Sequence, residues 1–236
     1  MIRVAVISPY FNENIDVILE CHASVARQTH PCLHVLVADG FPNSAADDWQ
    51  VDHVKLPRTH GDLGSTPRLI GCYHAIGLGV DAVAFLDADN WYREDHIERL
   101  LALHKETGAS FLSSNRMLCR LDGSVFGPCP NTTADRDIDT NCMMFMRAAF
   151  PILAQWCLMP RYAHPIGDQV MLHYVKAAGI KRAHRSDPSV YYRCGRADVY
   201  RRHGEPIPDG IKPSAGYRRA HELWVADGNP PIKCGW

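Results

Sequence analysis

Three observations predict an α/β fold, a mixed, mostly parallel sheet flanked by helices. Short runs rich in β-branched residues alternate with longer stretches of helical spacing through the first hundred residues. The runs are almost continuously apolar rather than alternating, as strands covered on both faces are. Most of them stop at a proline or at an acidic residue with Gly or Asn close behind, the chemistry of a strand giving way to a loop.

Taken in order, RVAVIS (3–8) reads as a buried strand ending at Pro9. Ile15 to Gln28 carries Ile15, Ile18, Leu19, Ala23, Val25 and Ala26 near helical spacing and reads as a helix. HVLVA (34–38) is a second strand closed by Asp39 and Gly40, and Asp52 to Leu56 a weaker third. A helix over 67–77, a strand over 82–86 and a helix over 93–105 complete a repeated β-α-β pattern, which calls for parallel pairing with helical crossovers. Beyond residue 110 the alternation weakens. FLSSNRML reads as a strand, LDGSVFGP as a turn and hairpin and Thr140 to Arg147 as a strand, followed by helices over 150–156 and 169–178; the last forty residues, rich in Arg, Gly and Pro, read as a loosely structured tail.

Composition narrows the function. With 236 residues, 46% of them apolar, the chain supports one large domain or a domain with a small appendage. Twenty-five Lys and Arg against 26 Asp and Glu leave a net charge of -1, which argues against a nucleic-acid partner and makes any anion binding local. MIRVAVISPYF is too short an apolar run for a signal peptide, and no stretch reaches the length of a spanning helix. The expectation is a cytoplasmic protein, with peripheral contact at the inner face of a membrane left open. Nine cysteines from Cys21 to Cys234 include no CxxC pair and are expected to be reduced, buried thiols.

In a parallel sheet ligands bind at the carboxyl ends of the strands. Pro9-Tyr10, Asp39 and Asp87-Ala88-Asp89 each follow a strand directly and so should gather on one edge. Asp87 and Asp89, two apart on an extended segment, would leave the same face. Two like charges held that close share a proton or a cation, and a hard cation such as Mg²⁺ or Mn²⁺ takes carboxylates together with substrate phosphates. The alternative is that Asp87, Asp89 and Asn90 cap the helix that follows. Arg58 and Arg68 flank HGDLGSTP, and a helix start with an Arg just inside suits a phosphate. Neither a GxxxxGK[ST] loop nor GxGxxG occurs.

PYFNE after the first strand, VADG after the second, GSTPRLIGCYHAI and then AFLDADN together resemble the nucleotide-sugar-binding half of the inverting family 2 glycosyltransferases. That resemblance implies the Rossmann-like GT-A fold of nucleotide-diphospho-sugar transferases, a donor that is a nucleoside-diphosphate sugar, with UDP expected, and a glycan, lipid or small-molecule acceptor. It implies that Pro9 and Tyr10 border the base, that Asp39 accepts a hydrogen bond from it and that Arg68 matches the Arg of an Ala-Arg-Asn segment. Asp87 would face the ribose or the metal, and Asp89 would bind the metal directly. IDTNCMMFMRAAF, a Trp and PIGDQVM resemble the acceptor-side segment, placing Asp168 as the catalytic base, with Asp139 a weaker acceptor-site candidate. Apart from the resemblance, Trp91 and Trp156 are candidate sugar-stacking rings, the alternative being burial in the core. Residues 1–195 then form one domain, 1–105 on the donor side and 106–195 on the acceptor side, with 196–236 as the tail.

The sequence also departs from the family. Tyr-Arg-x-His becomes Tyr192-Arg193-Cys194-Gly195, leaving His203 or His184 to replace the missing metal or diphosphate ligand, and Ala-Arg-Asn becomes Pro67-Arg68-Leu69. The rival readings are a nucleotidyltransferase, whose Gly-rich basic loop SPYFNEN lacks; a phosphohydrolase, whose acidic pair would follow the first strand; and a non-catalytic nucleotide- or glycan-binding module.

Overall fold

A computed structural model describes residues 1–130, 132–209, 211 and 215–232. In chain order its elements are β1 (Val4–Tyr10), α1 (Ile15–Ala26), β2 (Cys32–Asp39), β3 (Asp52–Leu56), α2 (Ser65–Gly77), β4 (Ala82–Phe85), β5 (Trp91–Tyr92), α3 (His96–Thr107), β6 (Phe111–Cys119), β7 (Val125–Pro128), β8 (Met143–Met146), α4 (Gln155–Leu158), α5 (Gly167–Ala177), β9 (Arg182–Arg193), α6 (Ala197–Arg202) and α7 (Ala215–Ala226). Short 3₁₀ turns cover Ser44–Asp48, Thr140–Cys142, Arg147–Ala154 and Arg161–Ile166.

The nine strands form one mixed sheet in the order β3-β2-β1-β4-β8-β6-β9-β5, with β7 on β6. β3, β2, β1 and β4 run parallel, so their carboxyl ends share one edge. β1 lies at the centre of this half and all seven of its residues are buried, which is why its sequence is apolar without alternation. β8 joins β4 antiparallel, β6 joins β8 antiparallel, and β9 returns parallel to β6. β5 sits at the far edge, paired with β9. The chain leaving β4 therefore passes β8, β6 and β9 in the sheet order before it reaches β5, and the segment that does so is the one that holds Asp87 and Asp89.

Local chemistry sets the element ends. Asn14 caps α1, its side chain accepting from the Asp16 N–H at 2.9 Å. Gly108 ends α3 with φ +66°, a left-handed conformation that suits glycine. The main core runs from Val6 and Phe85 to Trp156 and Trp224, with smaller clusters around Leu36 and around Leu118.

Several expectations change. Thr140 to Cys142 is a 3₁₀ turn and only 143–146 is strand; 150–156 is mostly 3₁₀, the end of a run over Arg147–Ala154 that contains Pro151 and passes into α4. β9 went unread, and the tail contains two helices. α7 packs its buried Ala220 and Trp224 inward, the Trp224 indole N–H donating to the Pro230 carbonyl at 2.9 Å, and Tyr162 donates its hydroxyl hydrogen to Asp227. The cysteines of the described residues are all free thiols, most of them buried; Cys234 lies outside those residues. No helix among the described residues is long and apolar enough to cross a membrane.

α2 lies close on the sheet at Gly71, where an added Cβ would stand 2.6 Å from Ile7 Cγ2 and 2.9 Å from Val37 Cγ2. Gly71→Ala should therefore destabilise the fold by about 1–3 kcal/mol through overpacking, more than offsetting the helix propensity that alanine adds. Urea unfolding should show a lower midpoint at an unchanged slope; an unaltered midpoint would mean that α2 is free to lift.

Candidate active site

A cleft of about 1180 Å³ opens along the carboxyl edge of the parallel strands and continues beneath α5, α6 and α7. Of the residues expected at the site, Pro9, Tyr10, Asp39, Arg68, Asp87, Asp89, Asp139 and Asp168 all line it. The topology thus brings together side chains up to 159 positions apart in sequence, counted from Pro9 to Asp168.

At one end stands Asp39, the last residue of β2. It is 6% exposed, and the segment between β3 and α2 folds over to meet it: His60 Nδ1 lies 2.6 Å from its Oδ1 and the His60 backbone N–H donates to its Oδ2 at 3.2 Å. Tyr10 is buried as well, its hydroxyl 2.7 Å from His53 Nε2 and accepting from the Asn43 N–H at 2.9 Å. The hydroxyl therefore braces the loop after β2. Phe11, nearly half exposed, stands edge-on to Phe41 at 4.8 Å on this side of the mouth.

The floor is a polar row in which two carboxylates share one amide and each pairs with an arginine at its outer side. Arg68 is only 4% exposed; its Nη2 donates to Asp87 Oδ1 at 2.7 Å, and its guanidinium lies 4.7 Å from the centre of the Trp156 ring. The other Asp87 oxygen accepts from Asn141 Nδ2 at 3.0 Å, while Asn141 Oδ1 accepts from the Asp87 backbone N–H. Asn141 Nδ2 also reaches Asp139 Oδ1 at 2.6 Å, and Arg116 Nη1 closes the row 3.2 Å from Asp139 Oδ2. A buried carboxylate is costly unless paired and hydrogen-bonded, and each acid here has both.

Three sequence expectations are corrected at this point. Asp87 and Asp89 sit on a turn rather than an extended segment, and their environments diverge: Asp87 is half-buried and Asp89 exposed. Nor do they cap a helix, since β5 intervenes and Asp95 is the N-cap of α3. The start of α2 offers no free phosphate cradle either, because Asp62 accepts from the Thr66 N–H and hydroxyl through its carboxylate, and from the Ser65 N–H through its carbonyl. Arg68 is consumed by Asp87 and Trp156 rather than standing in solvent.

The turn that carries Asp89 is pinned from β9. Arg193 Nη1 donates to the Asp89 carbonyl at 2.6 Å, its backbone N–H donates to Asn90 Oδ1 at 2.8 Å, and its other guanidinium arm pairs with Glu20. The guanidinium lies over Trp91, which stacks on Tyr191. Trp91 is thus engaged in its own stack, and Trp156 serves as the platform under Arg68.

At the other end, Asp168 occupies the first turn of α5 and accepts from the Gln169 N–H at 2.8 Å. Burial, and next the charge of Asp139, raise its pKa to about 7 against the opposing pull of Arg116. Gln169 fixes the facing wall, accepting from the Asp137 N–H and donating to the Ile138 carbonyl. Tyr217, Arg218, Arg219 and Glu222 of α7 and Arg196 and Arg201 around α6 complete this end, so the segment expected to be a loose tail supplies a wall of the cleft.

His203 is not brought to the acidic pair. It follows α6 outside the cleft, its ring 4.7 Å from Phe126. His184 also stays away from the cleft, bonded to Ser113 Oγ at 2.9 Å. Among the described residues no three His, Cys, Asp or Glu side chains gather as a metal cluster. The residues that sequence reading missed are Asn141, Arg116, Gln169 and His60; the polar pair Asp139-x-Asn141 directly before the apolar MMFM was the one local signal.

The sequence matches the model of glycosyl transferase family 2 over residues 5–161. The chain belongs to that family. The mixed sheet is accordingly the GT-A fold, and the resemblance carried by PYFNE, VADG and AFLDADN holds. Solved structures of S. aureus TarS share it: TarS 1-349 in complex with UDP-GlcNAc, with a TM-score of 0.65 and 15% identity, covers 96% of this chain and 66% of its own. TarS 1-349 in complex with UDP gives 0.62 and 16%, over 85% and 63%. This family 2 chain therefore spans just under two thirds of those TarS fragments. No curated protein matches it.

The raised pKa of Asp168 has a consequence for stability. The folded state holds its proton up to about pH 7, whereas an unfolded Asp releases it near 4. The stability tied to the neutral acid is therefore whole below pH 4, falls between 4 and 7 and is gone above 7. Asp168→Asn should raise the melting temperature relative to the parent at pH 8 and leave it nearly unchanged at pH 4; equal melting temperatures at pH 8 would show that Asp168 is fully solvated.

Proposed function

We propose that this family 2 protein is a metal-dependent, inverting glycosyltransferase that moves a sugar from a UDP-linked donor to a hydroxyl of a glycan, lipid or small-molecule acceptor. One observation carries the proposal: the Asp168 carboxyl, in the first turn of α5, lines the same cleft as the Asp87-Asp89 turn and the Asp39 end. The TarS fragments solved with UDP and UDP-GlcNAc have this fold and support the donor class.

The donor base is assigned to the Asp39 end, beside Pro9, with Asp39 accepting from the base. The diphosphate follows the cleft toward Asp89. A hard divalent cation fits that position as the guest of one exposed carboxylate, since Mg²⁺ and Mn²⁺ take oxygen ligands and complete their shells with water and substrate phosphates. Asp89 is the residue that would hold it, and when bound it would neutralise charge on the departing diphosphate. Asp87, both of whose oxygens are engaged by Arg68 and Asn141, is assigned to orient the turn and to meet the ribose.

Asp168 acts on the acceptor. As the hydroxyl oxygen bonds to the anomeric carbon, its proton passes to the Asp168 carboxylate, and the electron pair of the breaking carbon–oxygen bond leaves on the diphosphate. Attack from the face opposite the leaving group inverts the anomeric centre. A base with a pKa near the working pH combines a usable ionised fraction with real proton affinity, and burial beside Asp139 supplies that affinity.

Since only the ionised form can accept the proton, kcat/KM should rise with unit slope below about pH 7 and level off above it. Asp168→Asn should lower kcat by about 10²–10⁴-fold with the Kd for UDP unchanged; retained turnover would remove Asp168 from the chemistry. Stabilisation of the fold by UDP should need Mn²⁺ or Mg²⁺ and should disappear in Asp89→Ala. Stabilisation that is indifferent to metal and to Asp89 would leave a nucleotide-binding site without the proposed metal.

A further inference from the structure

Asp39 is held in an unusual way. Its carboxylate does not stand alone at the end of β2: both oxygens are taken by one residue, Oδ1 by the His60 ring at 2.6 Å and Oδ2 by the His60 backbone N–H at 3.2 Å. This two-point grip stops rotation about the carboxylate's own axis. Its placement depends on Gly40, which has φ +87° and no side chain; a Cβ there would stand 2.7 Å from Thr59 N and 2.8 Å from the Arg58 carbonyl carbon. The segment that delivers His60 thus lies directly on the backbone of the residue after Asp39. Since Asp39 Oδ1 accepts, Nδ1 of His60 carries the hydrogen, and that one ring atom does the holding.

We propose that His60 is a specificity-determining positioning residue, which acts through Asp39 to make the cleft select bases that present an imino N–H, as uracil does, and reject bases with a ring-nitrogen acceptor there, as cytosine has. The inference rests on the donor reading above. Each carboxylate oxygen has two acceptor positions; His60 fills one on each, and Asp39 lines the wall of the cleft. A carboxylate fixed in this way can only accept. Uracil offers it N3–H. Cytosine could offer its exocyclic amine only by setting the N3 lone pair against the second oxygen, which the two-point grip of His60 keeps from turning aside. Rejection by an unrelieved lone-pair contact is discrimination built against the wrong ligand. A merely structural His60 would stabilise the loop and leave the choice of base untouched.

The test is calorimetric titration of UDP and CDP, each with Mn²⁺, into the parent chain and the His60→Ala, His60→Asn and His60→Gln variants. The Asn amide nitrogen falls where Nδ1 stands, whereas the Gln nitrogen falls beyond it. The parent should prefer UDP by tenfold or more. His60→Ala should weaken UDP about tenfold and bring the UDP/CDP ratio toward one, His60→Asn should restore the ratio, and His60→Gln should not. A ratio unchanged in His60→Ala, or equally lost in Asn and Gln variants that melt like the parent, overturns the role of His60. A parent that binds both nucleotides equally overturns it too while leaving the donor reading in place. A parent that binds neither overturns both.

Discussion

Asp87 is half-buried with both carboxylate oxygens engaged, and much of the cleft is organised around that pairing. A carboxylate withdrawn from water is costly unless it is paired and hydrogen-bonded. Arg68 meets one oxygen and Asn141 the other, and each partner comes from a different layer. Arg68 is delivered by α2, whose depth is set at Gly71, and rests on Trp156 of α4. Asn141 lies on the turn before β8 and passes the link to Asp139 and Arg116. The earlier and later parts of the chain are therefore joined by a polar seam across the floor of the cleft as well as by the hydrophobic core beneath it.

The two members of the acidic pair consequently do different work. Charge held by Arg68 and Asn141 is fixed in direction, whereas Asp89 stands on the rim, with its turn tied to β9 through Arg193. Two carboxylates two positions apart look equivalent in a sequence, yet environment decides what each one does. The same logic separates Asp139 from Asp168: the first is neutralised by Arg116, and the second, deprived of water and facing the first, keeps its proton to near neutrality.

The parallel half was legible in the sequence because strands buried on both faces, such as RVAVIS and HVLVA, have no polar alternation to confuse the reading. β9 was not, because RAHRSDPSVYYR is only partly buried and its pairing with β6 is irregular around Ser114 to Arg116, near Pro188. The tail helices were hidden by their arginines; the apolar spacing Tyr217, Ala220, Trp224 that anchors α7 was present but outnumbered. At the site, Asp39, Asp87, Asp89 and Asp168 followed from strand ends and from the family resemblance. Asn141 and His60 did not, since their meaning lies in partners 54 and 21 residues away. His203 was the converse error: a lone histidine near an Arg-rich stretch carries no directional information, and here it packs on Phe126.

α7 is held by an inward-facing apolar stripe ending in Trp224, while Arg218, Arg219 and Glu222 look into the cleft from its other side. Its anchoring and its cleft-facing surface are thus carried by different residues of one short helix. The wall that α7 lends to the cleft is an interchangeable part: its charge can be rewritten without disturbing a strand of the sheet or the seam that holds Asp87.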